Sequence, residues 1–226
     1  MLSSTLAEHF FLEAGLKFTA SSKDLKNGSF IFYKVSNTAK AVVKPSVHKP
    51  LNATTVCLQV YTDYIHKDSF FKLQTTINSK LQFHLYQIAN FYYIYIDGDT
   101  VSYQTSIGVM EWRLFCVSWD SSTGVIHFAV NGNIFPRRVL KRGFTIDPEV
   151  TAVLGESLAS VGLNNIVGEH TFVGEVRAVH MWDSNFSPER MKRIYDDKCK
   201  HCNGNVISWK ALDYELHGAV IFYKPD

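Results

Sequence analysis

Residues 111–132, which read EWRLFCVSWDSSTGVIHFAVNG, carry the clearest structural pattern in the chain. Residues 114–119 and residues 125–130 each alternate apolar with small or polar side chains, a period of two that is typical of β-strands. Residues 120–124 between them contain Asp, Ser, Thr and Gly, which favour a tight turn. The pattern predicts a β-hairpin with one face in a core and the other face in solvent.

The rest of the chain repeats this pattern in short segments. Further alternating or β-rich runs, separated by turn-forming residues, lie at residues 30–32, 41–43, 54–60, 69–73, 80–86, 91–96, 150–154, 171–182 and 205–220. Short strands at such spacing indicate a sandwich of two antiparallel sheets. One helix is predicted after Ser187 and Pro188, because Ser caps a helix and Pro favours its first turn. Met191, Ile194 and Tyr195 follow at helical spacing.

The composition excludes several classes of function. The chain has 226 residues, of which 46% are hydrophobic and 14% aromatic, and this suits one large all-β domain. A net charge of +2 gives no global attraction to nucleic acid or to an anionic membrane. No apolar run reaches about 18 residues, so no membrane-spanning helix is predicted. We interpret one basic cluster as a solvated loop face, because no Gly-rich phosphate cradle accompanies Arg137, Arg138, Lys141 and Arg142.

We interpret residues 1–28 as an N-terminal leader, either poorly ordered or an atypical signal region, and residues 29–226 as the folded domain. Glu8, His9 and Glu13 interrupt the apolar stretch that a secretory signal needs, and no basic residue precedes that stretch. The leader is therefore not a convincing signal peptide.

Four cysteines permit three disulfide pairings. Cys57 and Cys116 both lie in strand-like alternation. Cys199 and Cys202 form a C-x-x-C motif, which can be a redox pair, half of a zinc site, a local disulfide or an intersubunit link. Structural zinc is disfavoured because no second C-x-x-C or H-x-x-x-H accompanies the motif. We favour a surface loop with a local or intermolecular bridge.

The hairpin also carries a family resemblance. The run CVSWDS, which starts at Cys116, and the VNG that ends the hairpin resemble the C-x-S/T-W-x-S/T signature of the pentraxins. That signature has His two residues before the Cys, where this chain has Leu114. Further segments fall in family order from Phe30 to Pro225, among them TVCL at 55–58, KRGF at 141–144, MWD at 181–183 and ISWKALDYE at 207–215.

The resemblance to the short pentraxins implies a jelly-roll, lectin-like or laminin-G-like sandwich, and a disulfide between Cys57 and Cys116. It also implies a secreted, extracellular glycoprotein of innate immunity that binds ligands multivalently as a cyclic homo-oligomer, with a pentamer as the expected state. Pentraxins bind calcium through carboxylates and amides on two loops. The ions then hold phosphocholine, phosphoethanolamine or acidic sugars, so the resemblance implies calcium as cofactor and these groups as ligands.

The chain departs from the family at the calcium ligands. The first loop reads Asn78-Ser79-Lys80 where the family has Asp-Asn-Glu. The second loop reads GESLA at residues 155–159 where the family has GQEQD, so both ligand carboxylates are replaced. Because calcium takes about six to eight oxygen ligands, several of them charged, we predict no calcium site or only a weak one.

Remaining positions of the family site are also substituted. Ile166 or Val167 and then His170 stand where the family supplies a further Glu and Gln, and His84 stands near the usual Phe of the phosphocholine pocket. Phosphocholine, phosphoethanolamine and acidic sugars are therefore doubtful ligands. The residues from which a weak calcium site could be rebuilt are Asn78, Glu156, Asn164 and Glu169.

Patterns of catalysis are missing from the sequence. The nine histidines lack metal-site spacing, and neither a G-x-S-x-G elbow nor a carboxylate pair occurs. We therefore predict a binding protein that is not an enzyme. Asn27 and Asn52 are candidate glycosylation sites, and Asn185 is a weaker one because Pro188 follows closely. The alternative function is a calcium-independent adhesion or scaffold module, or a relic pentraxin without ligand-binding activity.

Overall fold

The described residues form short strands and one helix. The computed structural model describes residues 18–63, 67–105, 110–156 and 172–225. The helix is Pro188–Asp196 (α1). The strands are Phe18–Lys23 (β1), Ser29–Phe32 (β2), Lys40–Val43 (β3), Ala53–Tyr61 (β4), Lys67–Thr75 (β5), Leu81–Ile88 (β6), Phe91–Ile96 (β7), Asp99–Gln104 (β8), Arg113–Asp120 (β9), Val125–Val130 (β10), Asn133–Ile134 (β11), Arg138–Val139 (β12), Val150–Leu154 (β13), Gly174–Trp182 (β14), Leu212–His217 (β15) and Val220–Tyr223 (β16).

Two sheets face each other across the core. Sheet I has the strand order β1-β15-β3-β13-β5-β6-β7-β8, and sheet II has the order β11-β10-β9-β4-β14-β2-β16, with β12 beside β10. Neighbouring strands pair antiparallel in both sheets. Buried aromatic side chains from the two sheets meet between them, as in the contact of Phe70 with Phe115 at 5.0 Å between ring centroids. The predicted all-β sandwich of two antiparallel sheets with one short helix is confirmed.

The central hairpin is present as β9 and β10, in which Phe128 lies opposite Val117. One part of the prediction was wrong, because nearly every residue of β9 is buried on both faces of the sheet. Residues such as Phe115 point into the core between the sheets. Leu114 and Cys116 point outward but are covered, since they belong to a second, smaller apolar cluster.

The helix α1 provides the cover over sheet II. Ser187 caps it by accepting a hydrogen bond from the Arg190 N–H at 3.4 Å, and Pro188 occupies its first turn, as predicted. Met191 is buried against the outer face of the sheet, together with Phe186. Within the described residues, no helix has the length and apolar character that crossing a membrane requires.

Both pairs of cysteines form disulfides. Cys57 lies directly opposite Cys116 where β4 pairs with β9, and their sulfur atoms are 2.07 Å apart. This confirms the disulfide that the family resemblance implies. Cys199 and Cys202 are joined at 2.05 Å in the loop that follows α1, which corresponds to the local-disulfide alternative for the C-x-x-C motif.

The boundary between a leader of residues 1–28 and a domain of residues 29–226 stays a prediction. Within the described part of that leader, β1 pairs with β15 at the edge of sheet I, with Ala20 opposite Tyr214. Leu25 is fully buried in the core. The end of the segment interpreted as leader is thus in contact with the sandwich.

We expect the two disulfides to contribute unequally to stability. Replacing both Cys57 and Cys116 by Ala should lower the free energy of unfolding by about 4 kcal/mol, because this bridge spans a sequence separation of 59. The matched control replaces both Cys199 and Cys202 by Ala and should lower it by about 2 kcal/mol, since their separation is 3. Urea unfolding followed by Trp fluorescence measures both, and equal losses would contradict the loop-closure argument.

Candidate functional site

The first candidate calcium loop is folded into a closed turn between β5 and β6. The side-chain oxygen of Asn78 accepts hydrogen bonds from the Thr75 hydroxyl and from the Lys80 N–H, the latter at 3.1 Å. Lys80 Nζ lies 2.7 Å from Asp97 Oδ1. The amide oxygen that the sequence suggested as a remnant calcium ligand therefore closes its own turn.

At the start of the second candidate loop, Glu156 contacts two lysines. Its Oε1 atom lies 3.1 Å from Lys40 Nζ, and its Oε2 atom contacts Lys72 Nζ. Lys72 lies on β5 between Phe71 and Leu73, which are both buried in the core, so its side chain leaves from the outer face of sheet I. Lys72 and Glu156 are only 3% and 8% exposed. We call Lys40, Lys72 and Glu156 the Lys72 cluster.

Backbone geometry sets the position of Glu156. Leu154, at the end of β13, lies opposite Ala41 of β3, so the chain leaves the sheet beside Lys40. Gly155 has a φ of 70°, in the left-handed region that favours glycine. A Cβ atom at Gly155 would lie 2.2 Å from the ring of Phe32, so glycine is also required by packing.

Glu156 is a carboxylate at neutral pH. Burial alone would raise the pKa of its carboxyl group, because a charge is poorly solvated in the protein interior. The attraction and hydrogen bonds of Lys72 and Lys40 outweigh burial, and the pKa of Glu156 lies below its ordinary value of 4.5. Two ammonium groups and one carboxylate leave the Lys72 cluster with a net positive charge.

Beside the cluster lies His84, which is opposite Lys72 in the pairing of β5 with β6. Its Nε2 atom is 2.8 Å from the Ser69 hydroxyl, and its ring packs on Tyr86 at 4.6 Å between centroids. Burial, and to a lesser degree the charge of Lys72, lowers the pKa of His84 to about 3. A neutral, buried imidazole thus lies near the position at which the family resemblance places a Phe.

These residues do not fit a calcium ion. Calcium requires several free oxygen ligands, but the Asn78 oxygen and the Glu156 carboxylate are both engaged. The ammonium groups of Lys40 and Lys72 would repel a divalent cation. Across the four described ranges, no group of three or more His, Cys, Asp or Glu side chains is placed to hold a metal.

Several residues named from the sequence lie outside the described part of the chain or make contacts elsewhere. The following residues lie outside the described part of the chain: Ser157, Ala159, Asn164, Ile166, Val167, Glu169 and His170. Asn27, Asn52 and Asn185 are exposed and stay candidate glycosylation sites. In the basic cluster, Lys141 Nζ lies 3.3 Å from Asp99 Oδ2, and the Arg138 guanidinium lies 5.5 Å from the Tyr103 ring centroid.

A groove that the sequence did not predict lies on the outer face of sheet II, beside the end of α1. It has a volume of about 910 Å³, and we call it the helix-side groove. Apolar and aromatic residues line part of it, and basic residues line the rest. The lining includes Trp112, Leu114, Arg177, His180, Tyr195 and Trp209.

A β-bulge in β14 builds this groove. The register of β14 against β4 shifts between Arg177 and His180, where Ala178 has a φ of 50°. Val179 is in the core, and both Arg177 and His180 line the groove on the other face. In a regular strand, residues three apart point to opposite faces, so alternation in the sequence could not place these two side chains together.

The fold defines a jelly-roll sandwich of the lectin-like class, with a disulfide between adjacent central strands. The model of the Pentaxin family matches residues 28–225, and the chain belongs to this family. Pentraxins are binding proteins without enzymatic activity, so this chain is a binding protein and not an enzyme.

Relatives and a solved structure agree with this assignment. The chain is 34% identical over 202 residues to C-reactive protein of Xenopus laevis, covering 88% of this chain and 83% of the relative. It is 30% identical over 220 residues to C-reactive protein of Homo sapiens, covering 96% of each. The fold is similar to that of a native heptameric SAP-like pentraxin from Limulus polyphemus, with a TM-score of 0.73, 18% identity, and coverage of 88% and 95%.

We expect Lys72→Met to lower the free energy of unfolding by about 3 kcal/mol at pH 7, because it leaves a buried carboxylate with Lys40 alone. The wild-type pKa of Glu156 is depressed, so its contribution is present above pH 4.5 and is lost as the pH falls through the folded-state pKa. The difference between variant and wild type should therefore shrink as the pH falls below 4.5. Urea unfolding of both proteins at pH 7 and at a pH below 4.5 measures this difference in the free energy of unfolding.

The control is the double variant Lys72→Met, Glu156→Leu, which removes both charges and should recover most of the lost stability. A loss for Lys72→Met that is the same at pH 7 and below pH 4.5 would show that packing, and not charge, is responsible.

Proposed function

We propose that this chain is a secreted pentraxin-type recognition protein that binds its ligands multivalently and without a calcium site of the usual kind. The observation that carries the proposal is the bonding of Glu156 to both Lys72 and Lys40. This bonding holds two ammonium groups beside the residue that precedes position 157, where the family resemblance leads one to expect an acidic ligand.

The electrostatics of the Lys72 cluster support this proposal. To accept calcium, the chain would have to move the nearly buried Lys72 ammonium away from its carboxylate partner. Breaking a buried pair of this kind costs about 3–5 kcal/mol, because one charge is left uncompensated. The sequence of the second loop offers no carboxylate at residues 157–159 to compensate for that cost.

Assembly into a homo-oligomer is supported by the pentraxin relatives, among them the heptameric Limulus protein. We propose a cyclic pentamer for this chain, in which repetition turns weak single contacts into useful affinity. Two disulfides support an extracellular location, since disulfides persist in oxidising compartments.

The alternative function, a calcium-independent adhesion or scaffold module, rests on the same contacts of Glu156. A relic pentraxin without ligand-binding activity is a further form of this alternative. Both differ from the main proposal in having no retained recognition of small ligands. Binding experiments that include ligands other than phosphocholine separate them from a recognition protein.

Titration with calcium tests the proposal directly. We expect no saturable heat at micromolar calcium and no calcium-dependent retention on phosphocholine resin, because the candidate oxygen ligands are engaged. C-reactive protein of Homo sapiens, run in parallel, is the positive control. Saturable heat, or retention that a chelator reverses, would contradict the proposal.

Light scattering of the purified protein tests the assembly. We expect about five times the chain mass of 25.7 kDa. Reduction under native conditions should leave this mass unchanged if the subunits associate non-covalently, because both disulfides lie within one chain. A single-chain mass would rule out the ring, and a fall in mass on reduction would indicate that assembly depends on a disulfide.

A further inference from the structure

The helix-side groove lies on the face of the sandwich opposite to the Lys72 cluster. Its floor is the outer face of β14, and its walls come from the start of β9 and from the loop that follows α1. The cluster is on the outer face of sheet I and the groove on that of sheet II, and the two share no residue.

Positive charge exceeds negative charge in the lining of this groove, which among the residues described includes five lysine and arginine side chains and no Asp or Glu. Four exposed lysines line it, and in the described part of the chain none of them forms an ion pair with a carboxylate: Lys26, Lys198, Lys200 and Lys210. Two carboxylates lie near the lining and keep their negative charge: that of Glu175 acts on Arg177, and that of Asp197 acts on Lys200. Glu175 accepts a hydrogen bond from the Ser29 hydroxyl at 2.7 Å, and Asp197 contacts His201 Nδ1 at 2.9 Å.

Arg177 adds a cation that is held in position. Its guanidinium lies over the ring of Trp112, at 3.6 Å from the centroid, and its Nε donates to the Gln59 side-chain oxygen at 2.8 Å. These contacts fix the plane of the guanidinium, and among the described residues its terminal nitrogens form no hydrogen bond. Such a fixed guanidinium is suited to a carboxylate, which it can bind through two hydrogen bonds.

The groove also offers apolar surface beside the cations. Trp112 and Tyr195 are both among the residues that line it, whereas Leu114 is only 5% exposed. Tyr195 is 40% exposed, so its ring is available to a ligand. An occupant that uses the whole groove therefore needs acidic groups and apolar side chains in alternation, and a volume of about 910 Å³ accepts a short peptide segment.

We propose that the helix-side groove binds an acidic peptide segment of a partner protein. Its carboxylates pair with Arg177 and with the lysines of the rim, and its apolar side chains contact Trp112 and Tyr195. A sulfated polysaccharide would satisfy the lysines, but it has no apolar side chains for the aromatic wall. Charge complementarity and the mixed lining thus both favour a peptide.

Fluorescence anisotropy with a labelled peptide in which Glu alternates with Leu and Tyr tests the proposal on the whole chain. N-glycans are removed first, because Asn27 also lines the groove. The groove variant carries Lys198→Gln, Lys200→Gln and Lys210→Gln, and the matched control carries Lys49→Gln, Lys192→Gln and Lys224→Gln at exposed positions that do not line the groove. All measurements are made with a chelator present, so that failure of the calcium proposal does not affect them.

We expect saturable binding that is about tenfold weaker in the groove variant and within about twofold of wild type in the control. Binding should also weaken as salt is raised, since the rim lysines are exposed. Equal weakening by both variants, or equal binding of a peptide with Gln in place of every Glu, would overturn the proposal. Binding of a heparin-type oligosaccharide without binding of the acidic peptide would overturn it as well.

Discussion

The pairing of β4 with β9 is the constraint on which the rest of the structure depends. It runs in one unbroken register from Ala53 opposite Asp120 to Val60 opposite Arg113. Because side chains alternate between faces, a slip of β4 by one residue against β9 would exchange its core residues for those that face α1. The disulfide between Cys57 and Cys116 excludes that slip, since it joins two residues that are directly opposite. The strand register, the set of core residues and the surface on which α1 packs are therefore determined together.

The outer face of sheet I differs from that of sheet II, because it buries a charged side chain and not an apolar cluster. An ammonium as buried as that of Lys72 is unfavourable unless a counter-charge lies beside it. Glu156 provides the counter-charge, and Gly155 allows the chain to turn so that the carboxylate reaches it. The same contact that stabilises Lys72 removes the carboxylate from metal binding. At this position, the ion pair with Lys72 and the coordination of a cation would compete for the same carboxylate.

The alternation and capping patterns of the sequence predicted much of the fold, but they predicted few of the contacts that form the two sites. The hairpin of β9 and β10 and the cap of α1 follow from alternation and from Ser187 with Pro188, and the Cys57 pairing followed from family resemblance. The burial of β9 on both faces depends on where α1 packs, which alternation does not contain. Likewise, Lys72 and Glu156 are far apart in sequence, and the bulge at Ala178 breaks the period on which strand prediction rests. Both sites arise from tertiary contacts.

A net charge of only +2 therefore conceals a strongly uneven distribution. Four exposed lysines that form no ion pair within the described ranges gather at the helix-side groove, whereas Lys72 on the opposite face is paired with Glu156. Cations held close together repel one another, and a groove of this kind gains most when an anion enters it. In a cyclic oligomer the copies are related by rotation about one axis, so equivalent grooves are repeated at equal heights around the ring. A partner with several acidic segments would then engage several grooves at once, and its affinity would exceed that of any single groove.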